Sequence, residues 1–113
     1  MPHCLIEHSV TIDSKSLLPV VFTGTLNSNL FEPDGSDIKV RAIPYESYLV
    51  GKDKQNFIHI VLKILSGRSI ENKEKLSNSV LTQLQTLELK DCSITVEVVD
   101  IDKSCYAKVV NSI

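Results

Sequence analysis

The sequence predicts an α+β fold: two βαβ units that together make a four-stranded mixed sheet with two helices packed on one face. Three observations point there. Short alternating stretches and longer stretches with helically spaced apolar residues follow one another as strand, helix, strand, and that order then repeats. The turns between them hold the residues that turns require. At 113 residues, the chain is sized for one domain, residues 1–113, with a modest core.

The elements follow in order. His3 to Val10 is short and mixed and suits a strand. Asp13 and Ser14 are helix caps, and Leu17, Leu18, Val21, Phe22 and Leu26 then recur at helical spacing. Pro19 sits early in that helix, where a missing N–H is tolerated. The helix ends around Asn27 to Asn29. Glu32-Pro33-Asp34-Gly35 is a turn, with Pro fixing φ and Gly free to take positive φ. From Ile38 to Ile43 the chain alternates: Ile38, Val40 and Ala42 face one way, Lys39, Arg41 and Ile43 the other. Pro44 ends regular central pairing. Tyr45 to Val50 reads as a further short strand before the polar turn Gly51 to Lys54.

The second half starts with Phe57 to Leu65, a nearly continuous apolar run that suits a strand buried on both faces. Ser66-Gly67-Arg68-Ser69 turns the chain. Ser69 caps a helix from about Ile70 to Leu89, with Leu76, Val80, Leu81, Leu84 and Leu87 in one stripe. Ile94 to Ile101 alternates again. The tail, Asp102 to Ile113, has no pattern that assigns it. Right-handed crossovers set both helices on one sheet face. The other face then carries Lys39, Arg41, His59 and Lys63 beside Phe57, Val61 and Leu65. A half-apolar face without helices needs a cover, and another subunit supplies one, so an oligomer is expected.

Composition narrows the function classes. Hydrophobic residues make up 42% and charged residues 23%, an ordinary globular balance. Twelve Lys and Arg are interleaved with 14 acids for a net charge of −2. Nucleic-acid binding by phosphate neutralisation needs a concentrated basic face, which this pattern lacks. No apolar run reaches the ~20 residues of a membrane span. The start, Met1-Pro2-His3-Cys4, lacks the basic region and cleavage pattern of a signal peptide. Cys4, Cys92 and Cys105 are odd in number and widely spaced, which suggests neither a disulfide framework nor a zinc knuckle and fits a reduced, cytoplasmic setting.

Three features coincide: Met1-Pro2-His3 at the start, the basic strand Ile38-Lys39-Val40-Arg41-Ala42, and Phe57 to Ile64 running into Ser66-Gly67-Arg68-Ser69. Together they resemble the 5-carboxymethyl-2-hydroxymuconate Δ-isomerase family of the tautomerase superfamily, from Pro2 to about Asp100 and most strongly from Phe57 to Gln83. The resemblance implies a homotrimer of two-βαβ chains and a 1,3-allylic proton shift in an unsaturated dicarboxylic acid from aromatic catabolism. It implies Pro2 as the base, exposed once Met1 is removed. The family's basic pair on the second strand falls on Lys39 and Arg41, although the first of the pair here is Lys.

The chemistry is consistent with that expectation. A proton shift beside a carbonyl needs a base that is neutral near pH 7 and can return the proton. A free α-amine titrates near ~8, and burial with nearby cations lowers that value. No cofactor or metal is called for. Arg41 and Lys39 can bind a carboxylate and steady a developing dienolate oxygen. Arg68, at the head of the long helix, can bind a second carboxylate with help from the helix's positive end. Lysine lacks arginine's fork, so Lys39 gives a point charge where the family has a planar one.

Each residue also has a plain alternative. Proline at position 2 permits Met removal whatever else it does. Lys39 and Arg41 suit a solvated strand face, and Arg68 suits an ion pair with Glu71 or Glu74. His59 suits a packed or interface position, a metal role for His3 and His8 lacks further ligands, and Tyr45 and Tyr48 suit strand-edge cover. If Met1 stays attached, the Pro2 nitrogen is an amide and no base. Two further readings of the whole chain follow: a phenylpyruvate-type keto–enol tautomerase, and a non-catalytic oligomeric binding protein on the same scaffold.

Overall fold

In the computed structural model, which describes residues 1–112, strand β1 (His3–Ser9) leads into helix α1 (Ser14–Leu26) and strand β2 (Lys39–Tyr45). Strand β3 (Asn56–Leu65), helix α2 (Ile70–Gln85) and strand β4 (Cys92–Ile101) repeat the pattern, and a short 3₁₀ turn at Lys103–Cys105 follows. The sheet order is β2-β1-β3-β4. β1 and β2 pair parallel, β3 and β4 pair parallel, and β1 meets β3 antiparallel. The expected mixed sheet of two βαβ units is therefore present, joined through its two central strands.

Local chemistry fixes the helices. Asp13 accepts from the Lys15 N–H and caps α1, while Ser69 accepts from the Asn72 N–H and caps α2. Pro19 lies further into α1 than the first turn, so one backbone hydrogen bond is lost inside the helix, at an exposed position. The stripe Leu76, Val80 and Leu84 of α2 is buried, as are Leu17 and Val21 of α1. α1 packs on α2 and β2, and α2 packs on β4. At the helix crossing a Cβ on Gly24 would lie 2.7 Å from Val80 Cα, and the Ser79 hydroxyl donates to the Gly24 carbonyl at 2.6 Å.

Three expectations need correction. Tyr45 to Val50 is not a strand: Tyr45 closes β2, and only an isolated bridge between Val50 and Asp53 follows. Pro44 does not end pairing, because β2 is the edge strand and can lack a donor on its outer side. α2 stops at Gln85, not Leu89; the Thr86 hydroxyl bonds back to the Gln83 carbonyl, and Glu88 adopts φ +50, which no right-handed helix admits.

β3 buries one face only. Ile58, Ile60, Leu62 and Ile64 are fully buried under the helices, whereas Phe57, His59, Val61 and Leu65 are half-buried and Lys63 is exposed. The unbroken apolar run thus serves a core on one side and an uncovered sheet face on the other. Rows across that open face read Lys39, His3, Lys63, Val99 and then Arg41, Leu5, Val61, Glu97.

Candidate active site

The first strand begins at the amino terminus, and this places the site. The Lys39 N–H donates to the Pro2 carbonyl at 3.1 Å, which ties the start of β2 to the start of β1. Pro2 itself is buried and Met1 is half-buried. With Met1 in place the Pro2 nitrogen is an amide. The Met1 amine stands beside an open cavity of about 870 Å³ lined by Glu32, Asp37, Lys39, Leu65, Tyr106 and Lys108 among others. Burial, then a hydrogen bond and repulsion from Lys39, lower this amine from 8.0 to about 6. Lys108 adds to the lowering and Asp37 opposes it. Asp37 also carries a buried carboxylate oxygen with no hydrogen-bond donor among the described residues.

The two basic residues of β2 point from the same face but into different spaces. Lys39 lines the cavity at the amino terminus and donates weakly to the Asp37 carbonyl at 3.5 Å. Arg41 lines a neighbouring groove of about 430 Å³ with Leu5, Glu7, Ile43, Val61 and Lys63. His3 joins the two. Arg41 Nη1 donates to His3 Nδ1 at 3.3 Å, and His3 Nε2 lies 2.9 Å from the Tyr106 hydroxyl, which lines the first cavity.

Arg68 sits apart from both groups. Its Nη2 donates to the Leu30 carbonyl at 2.8 Å and its guanidinium lies 5.3 Å from the centre of the Phe31 ring. Ion pairing with Glu71 or Glu74 is absent: among the described residues the ion pairs are His59–Glu97 and Lys73–Asp100. His59 bonds Thr95 and Glu97, each at 2.6 Å, on the open sheet face. His8 is buried, donating to the Ser9 carbonyl and accepting from the Ser14 hydroxyl. Among the described residues no group of three or more His, Cys, Asp or Glu is arranged to hold a metal ion.

Tyr106 and Lys108 were not legible as site residues. They lie in a tail without periodicity, and no spacing links Tyr106 to His3 more than a hundred residues away. Asp37 was equally hidden, since its place beside the amino terminus depends on how β2 pairs with β1.

The fold has parallels among solved structures. A solved 5-carboxymethyl-2-hydroxymuconate delta-isomerase superposes with a TM-score of 0.74 at 16% identity, covering 98% of this chain and 89% of that one. A 5-carboxymethyl-2-hydroxymuconate isomerase from Deinococcus radiodurans R1 gives 0.76 at 20% identity, with 97% and 90% covered. A structure described as a fused 4-OT wild type symmetric trimer gives 0.76 at 18%, with 99% and 94% covered. A sequence search among curated proteins finds no significant match. The family model described as 5-carboxymethyl-2-hydroxymuconate isomerase matches residues 2–112. With that match over nearly the whole length, the chain belongs to the 5-carboxymethyl-2-hydroxymuconate isomerase family.

Proposed function

We propose that the protein, once Met1 is removed, is a cofactor-free isomerase that moves a proton within an unsaturated 2-hydroxy or 2-oxo dicarboxylic acid. Pro2 is its acid/base. The observation that carries this is the setting of the amino terminus, beside a cavity and next to Lys39, where the terminal amine is already held down to about 6. Removing Met1 transfers the role of terminal amine to the Pro2 nitrogen at the buried start of β1. A neutral secondary amine there can take a proton from one end of the conjugated system and return it at another carbon. No net electrons are exchanged, so no redox partner is required.

Lys39, beside the amino terminus, steadies the charge that appears on the dienolate, and Arg41 binds a carboxylate of the substrate. Arg68, apart from both cavities within one chain, anchors the second carboxylate across a subunit boundary of the proposed trimer, through the guanidinium donors that Leu30 does not use. The working unit is a homotrimer. Support comes from the uncovered sheet face and from fold neighbours described as trimers of fused 4-OT.

The test begins with the mass of the mature native protein, which should lack Met1. Pro2→Ala should then lower turnover of 2-hydroxymuconate-type acids by on the order of a hundredfold or more. Retained Met1, or a Pro2→Ala protein as active as wild type, overturns the reading. A second reading, a keto–enol tautomerase for monocarboxylates such as phenylpyruvate, draws on the engagement of Arg68 by Leu30 and Phe31. Faster turnover of monocarboxylates than of dicarboxylates would favour it.

A further inference from the structure

One side chain bonds to a lining residue of each cavity. His3 Nδ1 is 3.3 Å from Arg41 Nη1, and His3 Nε2 is 2.9 Å from the Tyr106 hydroxyl. A guanidinium has donors and no acceptor, so Nδ1 must present its lone pair to Arg41. The ring proton then sits on Nε2 and is donated to the Tyr106 oxygen. That leaves the Tyr106 hydroxyl proton for another acceptor. A doubly protonated ring would turn an N–H toward a donor and lose the contact. The charges that bear on this ring are cationic: Arg41 and Lys39 from β2, Lys63 from β3, and the amino terminus. Together with burial they keep His3 below its usual range, which holds the ring neutral. Glu7, four residues along β1, accepts from the Tyr45 hydroxyl at 2.7 Å. Among the described residues Arg41 has no carboxylate partner, so the rest of its fork is available to a ligand.

We propose that His3 is a positioning residue: its neutral imidazole, held in the Nε2–H form between Arg41 and Tyr106, aims Arg41 at the substrate carboxylate. The proposal rests on reading Arg41 as a carboxylate ligand. Both contacts are needed for it. Nδ1 accepts from Arg41 and fixes the guanidinium, while the Tyr106 oxygen accepts the Nε2 proton and steadies the ring. The tail thereby acts on Arg41 without touching it.

Steady-state kinetics with a 2-hydroxymuconate-type acid test it, using His3→Leu, which removes the acceptor, and His3→Asn, whose carbonyl oxygen can replace Nδ1. His3→Leu should raise KM about tenfold with kcat changed far less, and His3→Asn should recover most of the loss. In wild type KM should climb on the acid side as His3 takes a second proton. That climb should vanish in His3→Asn, while the acid limb of kcat stays, because the terminal amine sets it. Nitrogen-15 NMR should find Nε2–H in wild type. Wild-type KM in His3→Leu, no recovery in His3→Asn, or an Nδ1–H ring in wild type overturns the proposal. Where His3→Leu does not fold, the pH profile of His3→Asn and the NMR decide. A wild-type protein without turnover defeats the proposed function instead. The ring is then compared between wild type and Arg41→Ala: a shift toward Nδ1–H on losing the guanidinium supports the proposal, and an unchanged ring overturns it.

Discussion

Proton affinity at the amino terminus is set chiefly by burial and then by Lys39. With Met1 retained, the amine titrates at 8.0 in the reference state and at about 6 in the fold. Between those values the unfolded chain takes a proton that the folded chain refuses. Stability therefore falls as pH drops through that window and levels off below it. Urea midpoints measured across the window should show the fall, and acetylation of Met1 should flatten it. In the proposed processed enzyme the same physics should appear as an acid limb in activity. Lys39→Ala should move that limb to higher pH, only part of the way, because burial remains; an unmoved limb in the pH–rate profile would show that Lys39 does not act on the amine. The alternation of β2 made Lys39 and Arg41 legible as a same-face pair. It could not show that their heads enter separate spaces, since that depends on His3, which stands opposite Lys39 in the adjacent strand.

Among the elements, the crossing of α1 and α2 is the least forgiving. The neighbours of a Cβ at Gly24 are Val80 Cα and the Ser79 carbonyl, neither of which can swing away as a side-chain tip would. Gly24→Ala should cost about 1–3 kcal/mol, read as a lowered denaturant midpoint; wild-type stability would mean that the helices part freely. Helix periodicity revealed which faces are buried but not this contact, because a glycine in a helix carries no sign of what lies opposite. The strand misjudged at Tyr45–Val50 has a similar origin. Apolar residues there cover other side chains: Tyr48 packs on Phe57 with ring centres 5.0 Å apart, and Lys54 lies over the Tyr48 ring. Hydrophobicity marked the segment for burial; ring packing half-buries Tyr48 without pairing, and Leu49 stays 73% exposed.

At the scale of the whole molecule, the open sheet face decides assembly. Ile43 is 56% exposed and Val99 is 36% exposed in the single chain. Val61, central in that face, lies between Leu5 and Glu97. Val61→Asp sets a second carboxylate beside Glu97 and leaves the helix-covered core alone. It should convert the proposed trimer to monomer in sedimentation velocity while the circular dichroism is kept. A trimer of unchanged strength would place the interface elsewhere. No helix among the described residues is long and apolar enough to cross a membrane. The layered plan was legible because two periods, two and 3.6 residues, were each repeated. The tail was not, because coil that is held by single hydrogen bonds leaves no period behind.

Met1 and Val109 line one cavity, so the amino terminus and the tail open onto the same space. A short linker could therefore join them, with new termini cut in the exposed segment Gly51–Lys54. Such a circular permutant would keep every strand and helix, yet residue 2 would sit in mid-chain with its nitrogen locked in an amide. Architecture and the proposed chemistry would come apart in one rearranged molecule.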